Sequence, residues 1–86
     1  MPRISQFYGI IIFMFYDDHN PPHFHARYAD YEAQISITNP KIIRGYLPPK
    51  ALGMVIEWAA SHEDELLRNR QKAQKLSPLM KIEPLK

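Results

Sequence analysis

His23-Phe24-His25-Ala26-Arg27-Tyr28-Ala29-Asp30-Tyr31-Glu32-Ala33-Gln34-Ile35-Ser36-Ile37 is the stretch whose reading decides the fold. Side chains of a strand point alternately to its two faces. Phe24, Ala26 and Tyr28 alternate with His23, His25 and Arg27, and the segment from Ala33 to Ile37 alternates again. Folded as a hairpin around Asp30 and Tyr31, the two runs match. The predicted register sets Tyr28 opposite Ala33, Ala26 opposite Ile35 and Phe24 opposite Ile37 on an apolar face. The other face sets Arg27 against Gln34, His25 against Ser36 and His23 against Thr38. A slip of one residue would mix the faces, so the pattern specifies against it.

Upstream, Gly9 precedes Ile10-Ile11-Ile12-Phe13-Met14-Phe15-Tyr16, a β-branched and aromatic run of strand length. It does not alternate, so both faces of that strand need cover. Ile10, Ile12 and Met14 are expected to face a helix. Ile11, Phe13 and Phe15 would then form an apolar patch that soluble monomers rarely leave in water. A homodimer or a small protein partner is the expected cover, with a two-fold interface the simplest form.

Downstream, Asn39-Pro40 signals a turn, and Lys41 to Tyr46 suits a short edge strand. Pro48-Pro49 opens a helix. Leu52, Val55, Ile56, Ala59, Leu66 and Leu67 supply its apolar stripe, and it ends before Pro78. The apolar tail from Leu79 to Leu85 is expected to pack back on the body. The predicted class is α+β: a small antiparallel β-sheet of three to four strands with one long helix packed on one face.

Size and composition bound the rest. The 86 residues suffice for a single domain, 1–86, with one core. The absence of cysteine excludes disulfides and thiolate metal sites and fits a reducing cytoplasm. No stretch reads as a targeting signal, and the run from Phe7 to Tyr16 is about half the length that spans a bilayer, so no membrane role is expected. The net charge of +2 decides little. The basic residues from Arg68 onward could touch nucleic acid or an acidic partner, but are read first as cations placed near a helix C-terminus, where the dipole favours them.

The chemically unusual segment is Asp18-His19-Asn20-Pro21-Pro22-His23-Phe24-His25. His23 and His25 share a strand face, with Arg27 next on it, and the di-proline loop lets His19 fold back toward them. Three chemistries use such a cluster. Neutral imidazoles bind zinc or another divalent metal, here through His19, His23, His25 and Asp18, with Asp17, Asp30 or Glu32 as further candidates for the shell. Alternatively, His19, His23, His25 and Arg27 form a catalytic group acting on an RNA phosphodiester, two histidines moving protons and the arginine steadying charge. The third is anion or nucleic-acid binding without reaction. A purely structural role, with histidines fixing a turn through backbone hydrogen bonds, stands beside them. His62 reads as a boundary residue, Glu63-Asp64-Glu65 as solvated helix surface, and Trp58 as core.

These residues carry a resemblance. Met1-Pro2-Arg3-Ile4-Ser5, Gly9-Ile10, the string Asp18 to Tyr28, Tyr31-Glu32-Ala33, Leu47-Pro48, Glu57-Trp58-Ala59 and Lys81-Ile82-Glu83-Pro84-Leu85 together resemble the bacterial domain of unknown function numbered 4160. The likeness spans essentially the whole chain. It implies, by association, half of a two-gene cassette beside a second small domain of unknown function numbered 2442, an arrangement like a toxin–antitoxin pair. Two positions depart from the family's usual pattern. Phe13 stands where members often carry a basic residue, which weakens a nucleic-acid role for that strand. Ala29 stands where they often carry glycine, which suggests that the hairpin loop avoids left-handed backbone there.

Overall fold

The computed structural model describes residues 2–16 and 18–86. The chain forms β1 (Arg3–Phe7), β2 (Ile10–Phe13), β3 (His23–Tyr28), β4 (Tyr31–Ser36), β5 (Ile42–Gly45), α1 (Pro49–Ser61) and α2 (Glu63–Gln74). The strands make one antiparallel sheet in the order β1-β2-β3-β4-β5, and consecutive strands are neighbours throughout. The α+β class is as expected, with five strands rather than three or four, and two helices rather than one.

The extra strand is β1. Phe7 pairs with Ile10 across the two residues Tyr8 and Gly9, whose φ values of 49° and 79° are both positive. Two positive φ angles in a two-residue loop match the twist of flanking strands, and Gly9 takes its share without cost. A bulge between Arg3 and Ser5 breaks the alternation of β1, which hid it from a period-two reading.

The second helix arises at His62, whose φ of −129° and ψ of 27° leave helical geometry. Glu63, Asp64 and Glu65 fill the first turn of α2. Carboxylates there face the positive end of the helix dipole. The acidic stretch is thus a helix start, not the flank of one continuous helix.

The β3–β4 hairpin keeps the expected faces but not the expected partners. Tyr28 pairs with Tyr31, Ala26 with Ala33, Phe24 with Ile35, His25 with Gln34 and His23 with Ser36. The register differs by two residues, a shift that preserves every side chain's face and is therefore invisible to an alternation argument. The loop is Ala29-Asp30, and Ala29 adopts a φ of 53°. The left-handed conformation thought to be avoided at Ala29 is present, because a two-residue hairpin loop requires positive φ at its first position.

One face of the sheet holds the core. Ile10, Ile12, Phe24, Ala26, Ala33 and Ile35 pack against Val55, Trp58, Ala59 and Leu66 from the helices. The tail packs back, as expected. Ile82 is buried, its N–H donates to the Ile4 carbonyl at 2.8 Å, and Trp58 Nε1 donates to the Glu83 carbonyl at 2.7 Å.

The other face is covered in part. Phe13 is fully buried, stacked on His25, met edge-on by Phe15 and covered by the Arg27 guanidinium 5.6 Å from its ring centre. The β2–β3 loop folds over part of this face, with Phe15 and Tyr16 still exposed. Among the described residues, no helix is long and apolar enough to cross a membrane.

Candidate metal centre

Strand β3 delivers His23 and His25 to the face opposite the core, next to each other by the strand's period of two. Both are 4% exposed, so the hairpin's polar face is not the open surface that alternation alone suggested. The β2–β3 loop brings Asp18 over them. Asp18 Oδ2 lies 3.0 Å from His23 Nε2 and 3.2 Å from His25 Nε2. One ligand atom from each of the three residues lies within 4.8 Å of the others.

Each imidazole is fixed from behind. His23 Nδ1 lies 2.8 Å from the Pro21 carbonyl, which can only accept, so Nδ1 carries a proton and Nε2 is the atom turned toward Asp18. His25 is clamped by rings: Phe13 stacks on it with centroids 5.1 Å apart and planes 15° off parallel, and Phe15 meets it edge-on at 4.6 Å. His25 Nδ1 is buried without a hydrogen-bond partner, with Glu32 Oε2 at 3.7 Å.

The Asp18 carboxyl is a fifth exposed. Burial pushes its pKa up, but the hydrogen bond from His25 and the charges of His23 and His25 outweigh this and hold it below the ordinary 3.8. Asp18 therefore stays ionised, as a metal ligand must.

The other candidate residues are placed differently. The His19 side chain is 90% exposed, with Nδ1 3.6 Å from Asp18 Oδ1, so it stands at the rim rather than inside the cluster. Arg27 shares the face, as expected, but donates to Glu32 Oε1 at 3.2 Å. Asp30 is in the turn at the far end of the hairpin. Asp17 lies outside the described residues. Sequence reasoning missed Arg70, which is 5% exposed on α2 and donates to Asn20 Oδ1 at 2.9 Å. That bond ties the ligand loop to a helix fifty positions away, and no local signal could have announced it.

Fold and cluster together define a small α+β domain with two strand histidines and a loop aspartate converging beside an aromatic clamp. The chain belongs to the family described as domain of unknown function (DUF4160), whose model matches residues 9–70. No curated protein and no solved structure matches the chain significantly.

Proposed function

We propose that this protein binds a divalent transition metal, zinc or a similar ion, through Asp18, His23 and His25. The observation that supports the reading best is the relation of His23 to Asp18. His23 Nε2 is buried and has no hydrogen-bond partner, although a carboxylate oxygen lies 3.0 Å away. The contact is off the line that a hydrogen bond requires. Two ligands of one ion aim at a third point, not at each other, so an off-line contact is what a shared metal produces.

The spacings agree. Bonds of 2.0–2.1 Å put neighbouring ligands about 2.9 Å apart in an octahedron and about 3.4 Å apart in a tetrahedron. The observed 3.0 and 3.2 Å fall in that span. Two imidazoles and a carboxylate suit zinc, nickel, copper or iron rather than the oxygen-loving calcium and magnesium. Three protein ligands leave at least one coordination position for water or another ligand.

Acid–base chemistry on RNA is supported less well. It would need ring nitrogens that meet a polyanion, and those of His23 and His25 are buried against a carboxylate; His19 and Arg27 alone are accessible.

A protein partner, as in a toxin–antitoxin-like pair or a homodimer, is a second reading that one observation favours. The β1 edge is covered by the tail, whereas β5 is an edge strand beside exposed Tyr31, Ile43 and Tyr46. Exposed strand edges with apolar side chains are docking sites for another strand.

The metal reading is tested by loading the purified full chain with zinc and determining its structure with anomalous scattering. The expected result is one ion with imidazole nitrogens about 2.0–2.1 Å away. A folded protein that takes up no zinc, nickel, cobalt or iron sinks the reading.

A further inference from the structure

We propose that Glu32 is the outer carboxylate of this centre, a positioning residue that orients His25 and strengthens it as a ligand. The inference rests on the metal reading and adds to it a residue that touches no metal.

His25 Nε2 faces Asp18, so this nitrogen would meet the ion. The ring proton must then sit on Nδ1, which needs an acceptor because it is buried. No hydrogen-bond partner reaches Nδ1 as the site stands. The ring cannot turn to find one, held as it is between Phe13 and Phe15. Glu32 Oε2, at 3.7 Å, is the acceptor in place.

Closing that gap to a hydrogen bond of ~2.9 Å takes a movement of about 0.8 Å. Glu32 is free to make it, since its side chain is 43% exposed and hinges at the start of β4. Arg27, its cross-strand neighbour, donates to the other carboxylate oxygen, Oε1, and keeps the group turned toward the histidine. The result is a relay from Arg27 through Glu32 and His25 to the ion. A carboxylate behind a ligating imidazole locks its tautomer and increases the electron density it donates. This also gives a reason for the Arg27–Glu32 pair, since an exposed ion pair by itself contributes little stability.

The test compares wild type, Glu32→Gln and Glu32→Asp as full chains, with zinc as the probe and a chromophoric chelator as competitor. Thermal unfolding of the metal-free proteins is measured alongside, and the His25 ring is observed by nitrogen NMR in the zinc form. Glu32→Gln is expected to bind zinc ten- to a hundredfold more weakly, on the order seen when outer partners of metal ligands are removed. Its metal-free melting curve should match wild type. Glu32→Asp should recover part of the affinity, and the slowly exchanging His25 Nδ1 proton of zinc-loaded wild type should broaden in Glu32→Gln. Equal zinc affinity for wild type and Glu32→Gln overturns this inference while leaving the three-ligand site intact. A wild type that binds no zinc overturns both.

Discussion

His23 and Asp18 are in contact without being hydrogen-bonded: Nε2 lies 3.0 Å from Oδ2, off the ring's donor direction, while Nδ1 is held by the Pro21 carbonyl. A proton shared between the two would favour a straight approach, whereas a common ion favours the bent one. The contact leaves a buried ring nitrogen without a hydrogen-bond partner, which is costly unless a further ligand takes it.

A metal that binds only the folded chain stabilises it by mass action. With free zinc a hundredfold above its dissociation constant, the gain is about 2.7 kcal/mol, and in a domain this small each kcal/mol moves Tm by roughly 4–8 °C. Melting with and without chelator should therefore differ by ten degrees or more on that scaling, and Asp18→Asn should abolish the difference. Identical melting curves for wild type in zinc and in chelator would speak against the site.

The lowered pKa of Asp18 predicts an acid limb in the stability of the metal-free protein. A carboxyl whose folded pKa is below its unfolded one contributes stability above the unfolded value and loses it as pH falls through the folded value. The loss should therefore begin near pH 4 and continue below it. Asp18→Asn should show a shallower decline over that range, measured by urea unfolding at a series of pH values. Equal slopes would mean that the histidines do not hold the carboxylate in the folded state.

Gly45 should not tolerate a side chain. Its φ is 87°, and a β-carbon built there would lie 2.2 Å from the Glu32 carbonyl oxygen. Gly45→Ala is expected to cost 2 kcal/mol or more, roughly the upper range of single substitutions, through the combined steric and left-handed penalties. Because the Tyr46 amide next to it donates to that same Glu32 carbonyl, the variant should also expose the Tyr46 amide to hydrogen exchange. A neutral effect in unfolding measurements would contradict the tight β4–β5 approach.

Leu76 presents the opposite case. It follows α2 with a φ of 57°, and its side chain is exposed. Glycine enters that region freely, and left-handed backbone costs other residues about 1 kcal/mol or more. Leu76→Gly is expected to stabilise the protein by up to about 1 kcal/mol, less what the added freedom of the unfolded chain removes. A clear destabilisation would show that the Leu76 side chain packs on something in solution.

Association is best probed at β5. If the edge beside Tyr31, Ile43 and Tyr46 pairs with a second copy, Ile43→Lys should convert a dimer into a monomer without lowering the metal-free Tm of the fold. Sedimentation at micromolar concentration reads this directly. A wild type that sediments as a monomer confines any partner role to a different chain.

Much of the site was legible because it is local. His23 and His25 share a face by the strand's period alone, and Asp18 is five residues before the first of them, across a loop that two prolines stiffen. The closing of the rings was not legible. Phe13 and Phe15 looked like an uncovered surface, yet they clamp His25, because the chain turns after β2 and lays its own loop on the sheet. The hairpin register was legible only up to a slip of two residues, since such a slip leaves every residue on its face and the difference lies in the left-handed backbone of Ala29.

The sequence by itself determined the α+β class, the apolar face of Phe24, Ala26, Ala33 and Ile35, the return of the tail, and the segment that holds the histidine cluster. These follow from periodicity and local residue chemistry, which act over a few positions and survive any packing. Tertiary structure alone decided that α2 starts anew at His62, that Arg70 reaches Asn20, and that Glu32 stands behind His25 while His19 stays at the rim. Such relations depend on where the sheet and its covering loop come to rest against the helices, and contacts between distant residues leave no periodic trace along the chain.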